Sequence, residues 1–281
     1  MSVEISRRWF ITRTGAAAAT ALLGLEGCMN LTESNIVTTP IFQDFTQIPD
    51  LANSGWQAYK QQAYNNEIQT YTDSQENINL LLGEGLLLQA QKEDSGYSSA
   101  RLIYGNRRPF LRGEFKVVAS LAQGYGIMPA FWLRGLTQIP YSEIDIFEAP
   151  GGRNGIIYAT AHTQATQDLG PGNGHSGNFQ LSDPYDSFHT FTLNWQKEKL
   201  EFGVDGHPYY TLERISDDPN LWPYDQPMYL NLSLAVGGNW AESIAEGDGK
   251  NFANGVDDSM SENWNFLIRS FSYTPSLEQD E

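Results

Sequence analysis

Read for its apolar and polar positions, the chain breaks after an N-terminal apolar run into many brief, strand-sized segments. Residues 80–82, 86–90, 113–118, 156–160, 190–195, 200–204 and 228–232 are the clearest, with Gly, Pro, Asn and Asp between them. No long 3.6-residue apolar period competes with these short alternations. The pattern therefore predicts an all-β chain folded as an antiparallel β-sandwich of jelly-roll type.

One of these segments carries chemistry. Glu143-Ile144-Asp145-Ile146-Phe147-Glu148 alternates acids with large apolar residues. In a strand Glu143 and Asp145 share a face, while Ile144 and Ile146 point the other way. Glu148 would fall on the apolar face unless the strand holds one extra residue, and a β-bulge at Ile146-Phe147 would return it to the acidic row. Three carboxylates in one row suit glycoside hydrolysis, which needs one as nucleophile or base and a second kept protonated as proton donor. Crowding and exclusion of water would raise one of the pKa values. A solvated acidic face on an ordinary half-buried strand is the alternative.

Composition narrows the class. At 281 residues with 40% hydrophobic content, the chain can bury one large core. A formal charge of −17 argues against nucleic acid or an anionic membrane surface as partner. The first 28 residues read as targeting: Ser6-Arg7-Arg8-Trp9-Phe10-Ile11 is a twin-arginine pattern, and residues 15–25 are an apolar run too short to span a membrane. Leu25-Glu26-Gly27-Cys28 is similar to a lipobox, so Cys28 becomes either a lipid-modified N-terminus or part of a discarded leader. The reading is a signal over 1–28, a linker over 29–40, a catalytic domain over 41–275 and an acidic tail over 276–281. Cys28 is the single cysteine, so no disulfide or thiolate metal site is expected within the domain.

Further segments, in order, support a resemblance. They are Asn65-Asn66-Glu67-Ile68-Gln69-Thr70-Tyr71-Thr72, Ser99-Ala100-Arg101-Leu102, Pro129-Ala130-Phe131-Trp132-Leu133, the acidic strand, Ala161-His162, Phe188-His189-Thr190-Phe191, Asp205-Gly206, and Gly237-Gly238-Asn239-Trp240. Together they resemble glycoside hydrolase family 16, specifically its laminarinase-like β-1,3-glucanases. The resemblance implies a concanavalin-like sandwich with a concave glycan groove and hydrolysis with retention. It implies Glu143 as nucleophile, Glu148 as acid/base and Asp145 as the carboxylate between them. Trp132 and Trp240 resemble platforms for sugar rings, and Asn66, Arg101 and His162 resemble groove residues that hydrogen-bond sugar hydroxyls. Glu67 fits either a groove acid or a partner of a nearby Arg, and His175 falls on a Gly-rich rim loop with no assigned role.

The chain departs from the family pattern at three places. Met128 and Ile139-Pro140 stand where relatives commonly carry Trp and Trp-Pro, which removes two stacking surfaces. Phe266 stands where many members place an aspartate associated with calcium, which makes a structural calcium ion doubtful; no cofactor is required and no metal ligands are assigned. The implied substrate is a β-glucan such as laminarin, cut by an exported enzyme acting as a monomer and touching membrane only through a Cys28 lipid anchor. A galactan hydrolase of the agarase or carrageenase type, and a non-catalytic glycan-binding module, are the rival readings.

Overall fold

The computed structural model describes residues 36–60, 63–105, 108–153, 155–170, 173–257, 259 and 263–276; Cys28 and the targeting run lie outside the described residues. In chain order come strands β1 (Ile41–Asp44), β2 (Trp56–Ala58), β3 (Gln69–Tyr71), β4 (Ile78–Leu81), β5 (Gly85–Glu93) and β6 (Gly96–Ser99). Next are β7 (Arg101–Tyr104), β8 (Gly113–Ser120), β9 (Ile127–Gly135), β10 (Ser142–Glu148) and β11 (Ile156–Thr163), followed by the one-turn helix α1 (Gln164–Gln167). Then follow β12 (His175–Gln180), β13 (His189–Trp195), β14 (Lys199–Val204), β15 (His207–Glu213) and β16 (Met228–Val236). Helix α2 (Asn239–Gly247) and a 3-10 turn (Ala253–Gly255) precede the last strand, β17 (Asn263–Pro275).

These strands form two sheets. One runs β15-β14-β13-β8-β17-β5-β6-β3, with β1 added to β17 and β4 to β5; the other runs β12-β11-β10-β9-β16-β7-β2. Strands distant in sequence lie side by side, β16 between β9 and β7 and β17 between β8 and β5, as the jelly-roll expectation requires. Period-two alternation drives the sheets together. From the larger sheet Phe115, Val117, Phe191, Leu193 and Phe266 are fully enclosed, and Phe131, Leu133, Ile144, Ile157 and Leu230 meet them from the other. Each such side chain contributes about 1.5–3 kcal/mol on leaving water.

Strand β10 carries the expected bulge. Asp145 pairs with Thr160 and Glu148 with Tyr158, so three residues on β10 span two on β11. The same shift appears against β9, where Asp145 faces Trp132 and Glu148 faces Ala130. Ile146 and Phe147 both turn into the core as a result, with 1% and 0% exposure. Phe147 lies 4.1 Å centroid to centroid from Phe191 and 6.0 Å, edge-on, from Phe266. A regular strand would place Glu148 in this apolar layer, where an unpaired carboxylate costs several kcal/mol.

Two features were not legible in the sequence. Val37, inside the segment read as linker, is 3% exposed; its amide donates to Pro109 O at 2.9 Å, so the packed domain takes in the end of that segment. Helix α2 buries only Ile244 and Ala245, too narrow an apolar stripe to register as a period. Phe266, the position related by resemblance to a calcium-associated aspartate, packs in the core and offers no ligand atom.

The bulge predicts a specific packing cost. Phe147→Ala should lose about 3–5 kcal/mol of stability, measured by denaturant titration. A loss below about 1 kcal/mol would show that Phe147 does not anchor β10 to the opposite sheet.

Candidate active site

Antiparallel pairing arranges the open face of the smaller sheet in rows across β9, β10 and β11. Arg134, Glu143 and His162 form one row, Trp132, Asp145 and Thr160 the next, and Ala130, Glu148 and Tyr158 the third. Strand β16 extends them with Tyr229, Asn231 and Ser233. The three acids therefore stand together on one face.

Glu143 is held on several sides. Tyr141 Oη donates to its Oε2 at 3.0 Å, and Arg134 Nε lies 3.9 Å from the same oxygen. Burial and the adjacent Asp145 push the Glu143 carboxyl up to about 7, while His162, Arg134 and the Tyr141 hydrogen bond pull it down. Glu148 is raised as well. Burial first, then Asp145, Glu143 and Glu67, hold its carboxyl well above the usual carboxylate range against the opposing charge of His162.

His162 is the counter-charge to this cluster. Burial works against its imidazolium, but the Asp145 contact, with Glu143 and Glu148 behind it, raises the pKa to about 10. Nδ1 of the protonated ring donates to the carbonyl of Asn173 at 2.8 Å, and Nε2 stands 3.3 Å from Asp145 Oδ2 as an ion pair. Asp145 Oδ2 has no hydrogen bond of good geometry and is fully enclosed. Glu143, Asp145 and His162 bring donor atoms within 4.8 Å of one another.

A cleft beside Glu148 is lined by Asn65, Glu67, Met128, Gly238, Asn239 and Trp240. Asn65 and Asn66 adopt φ of 53° and 61°, a left-handed turn that Asn tolerates. This turn presents Glu67, whose carboxyl is raised by burial and accepts from Gln69 Nε2 at 2.7 Å. The α2 N-terminus closes against the turn, with Asn239 N donating to Asn65 O at 2.9 Å and Asn66 Nδ2 to Asn239 Oδ1 at 2.8 Å. Gly238, at φ 99°, lies so near that a Cβ would meet Asn65 O at 3.1 Å.

Of the groove residues read from sequence, Trp240 lines this cleft, its ring 5.2 Å from Tyr158 and edge-on to it. Trp132 is half-buried, with its Nε1 donating to Ser233 Oγ at 3.1 Å. Arg101 is 7% exposed and lies between rings, 4.4 Å from the Trp132 centroid and 4.5 Å from that of Tyr59. Its Nη2 donates to Asn231 Oδ1 at 3.0 Å, so Arg101 is held against the Trp132 ring. Asn66 is exposed and engaged by Asn239. His175 opens the edge strand β12 and pairs with Ala161, off the acidic rows.

Sequence reasoning passed over Tyr141, Arg134, Tyr158, Asn231 and Asn239. Tyr141 could have been found, since it lies two positions before Glu143 and so on the same face. The others reach the site only through strand pairing and the α2 contact.

The description "Glycosyl hydrolases family 16" matches residues 58–250. A "Beta-glucanase" of Rhodothermus marinus is 31% identical over 206 residues, 68% of this chain and 69% of that protein. A "Glucan endo-1,3-beta-glucosidase" of Cryptopygus antarcticus is 32% identical over 204 residues, 63% of this chain and 72% of that protein. Among solved structures, SCLam, a non-specific endo-beta-1,3(4)-glucanase, superposes with a TM-score of 0.72 at 27% identity, covering 86% of this chain and 93% of that one. The laminarinase from Flavobacterium sp. UMI-01 superposes with a TM-score of 0.71 at 26% identity, covering 83% and 98%.

The raised Glu143 carboxyl predicts a pH-dependent stability. A carboxyl held at about 7 against 4.5 when unfolded favours folding below pH 4.5, and that contribution is lost as pH rises through about 7. Glu143→Gln, which cannot ionise, should gain in Tm relative to the wild type as pH rises from 4.5 to 8. A Tm difference that stays constant over that range would contradict the assigned electrostatics.

Proposed function

This chain belongs to glycosyl hydrolase family 16, and from that premise we propose which linkage it cuts and which residues cut it. It is a glycoside hydrolase acting on internal β-1,3, or mixed β-1,3/1,4, glucosidic bonds of a β-glucan with retention of configuration. The observation that carries the assignment of residues is the bulged strand, which stands Glu143, Asp145 and Glu148 on one face with a cationic His162 against them.

Glu143 attacks the anomeric carbon, the glycosidic C–O bond breaks, and the departing oxygen takes the proton of Glu148. A water then attacks the glycosyl-enzyme and loses its proton to Glu148, while Glu143 leaves as the carboxylate. The surroundings of the two carboxyls suit these roles: burial and the Asp145 charge favour a protonated Glu148, while Arg134 and the Tyr141 hydrogen bond favour the ionised form of Glu143. Asp145 and His162 balance the charge that moves between them. Trp240 and the Arg101-backed Trp132 offer ring faces to sugars, and Asn65 and Glu67 line the cleft beside Glu148, with Asn66 tied to Asn239 at its edge.

We also read the enzyme as exported by the twin-arginine pattern at Arg7-Arg8, with Cys28 as the attachment point of a lipid. Support comes from the residues alone. Cys28→Ser should release the protein from the membrane fraction of producing cells, and an unchanged distribution would remove the anchor.

Reducing-sugar release on laminarin, lichenan, agarose and carrageenan tests the substrate, with activity expected on the first two. Glu143→Gln and Glu148→Gln should each cut kcat on laminarin by about 10³-fold or more with folding intact by circular dichroism. Activity confined to a galactan, or a Glu143→Gln enzyme of wild-type rate, would overturn the proposal.

A further inference from the structure

The reaction assigned to Glu143 uses a carboxylate that must first attack and later depart, yet it leaves Tyr141 and Arg134 without a part. Both lie on the open face, and both address one oxygen of Glu143. Tyr141 Oη donates to Oε2 at 3.0 Å, and Arg134 Nε stands 3.9 Å from that atom. The two are also fixed to each other, the Arg134 guanidinium lying 3.7 Å from the centroid of the Tyr141 ring. Arg134 is locked in turn by donation from Nη1 to the Ser142 carbonyl at 2.7 Å, and the Tyr141 amide donates to Gln164 Oε1 at 3.0 Å. Neither Arg134 nor Tyr141 lines the cleft around Glu148 and Trp240.

We propose that Tyr141, aligned by the Arg134 guanidinium stacked on its ring, is a positioning residue that clamps one oxygen of Glu143 and sets when that carboxylate departs. The inference rests on the reading of Glu143 as nucleophile. With Oε2 engaged by the phenol, the other oxygen is the one that bonds to the anomeric carbon. In the covalent intermediate the carboxyl is an ester and accepts weakly. When water attacks and the C–O bond to Glu143 breaks, the electron pair returns to the carboxylate and the Tyr141 hydrogen bond strengthens, so the phenol favours the second step. Burial, followed by the neighbouring Glu143 charge, raises the Tyr141 pKa above its ordinary value, so the group remains a donor over the working range.

The groups facing Glu143 are Tyr141, Asp145 and Glu148 from β10 and the segment before it, Arg134 from β9, His162 from β11, and the enclosed Tyr224 phenol from the segment before β16. Glu143 and Glu148 share several of these neighbours, so the test compares variants in the same surroundings.

Two readouts on purified enzyme test the clamp: kcat/KM against pH on laminarin, and pre-steady-state release of the phenol from an aryl β-glucoside. Tyr141→Phe should move the acidic limb up by about one pH unit, because the donor that favours ionised Glu143 is gone. It should also show a burst of phenol as the glycosyl-enzyme accumulates, with circular dichroism unchanged. Arg134→Lys, which keeps the charge but not the flat stacking surface, should shift the limb in the same direction by about half as much. It carries the test if Tyr141→Phe does not fold. A limb that stays in place, with no burst, in a folded variant of a wild-type-active enzyme overturns the clamp alone. A wild type inactive on every glucan would instead defeat the nucleophile reading beneath it.

Discussion

The constraint on which the molecule depends is a conflict within six residues of β10. Ile144, Ile146 and Phe147 all belong in the core, and Glu143, Asp145 and Glu148 all need the other face. Strict alternation cannot satisfy both sets, because Phe147 and Glu148 would each be on the wrong side. One extra residue resolves it. The bulge against Thr160–Tyr158 on one side and Trp132–Ala130 on the other puts two adjacent apolar side chains inward and returns the third acid to the row. Packing of Phe147 against Phe191 and Phe266 holds that arrangement in place.

From this kink the electrostatics follow. Burial and the Asp145 charge raise the carboxyls of Glu143 and Glu148, and the opposing charge of His162 limits both rises. Its ring is fixed between Asp145 and the Asn173 carbonyl. Glu67 adds to the rise at Glu148 beside the cleft, while Arg134 and Tyr141 work against the rise at Glu143. The division between proton donor and nucleophile thus arises from neighbours supplied by different strands.

The surrounding scaffold supplies rigid backing more than direct chemistry. Arg101, expected from sequence as a hydrogen-bonding groove residue, is enclosed between Tyr59 and Trp132 and tied to Asn231. A stacked guanidinium fixes the tilt of the tryptophan ring. On the far side of Glu148, the Asn65-Asn66 turn and the α2 N-terminus brace each other.

The sequence by itself determined the sheet class, the acidic row and the need for a bulge, because side-chain period two and the cost of burying a carboxylate are local rules. It also carried Tyr141, two positions from Glu143, although its part was not read. Only the tertiary structure decided that Arg134 and His162 flank Glu143, that Arg101 packs against Trp132, that Val37 joins the core and that α2 closes on the Asn65-Asn66 turn. Each of those contacts joins residues from separate strands or loops, and jelly-roll pairing brings together segments whose separation along the chain carries no local signal of their register.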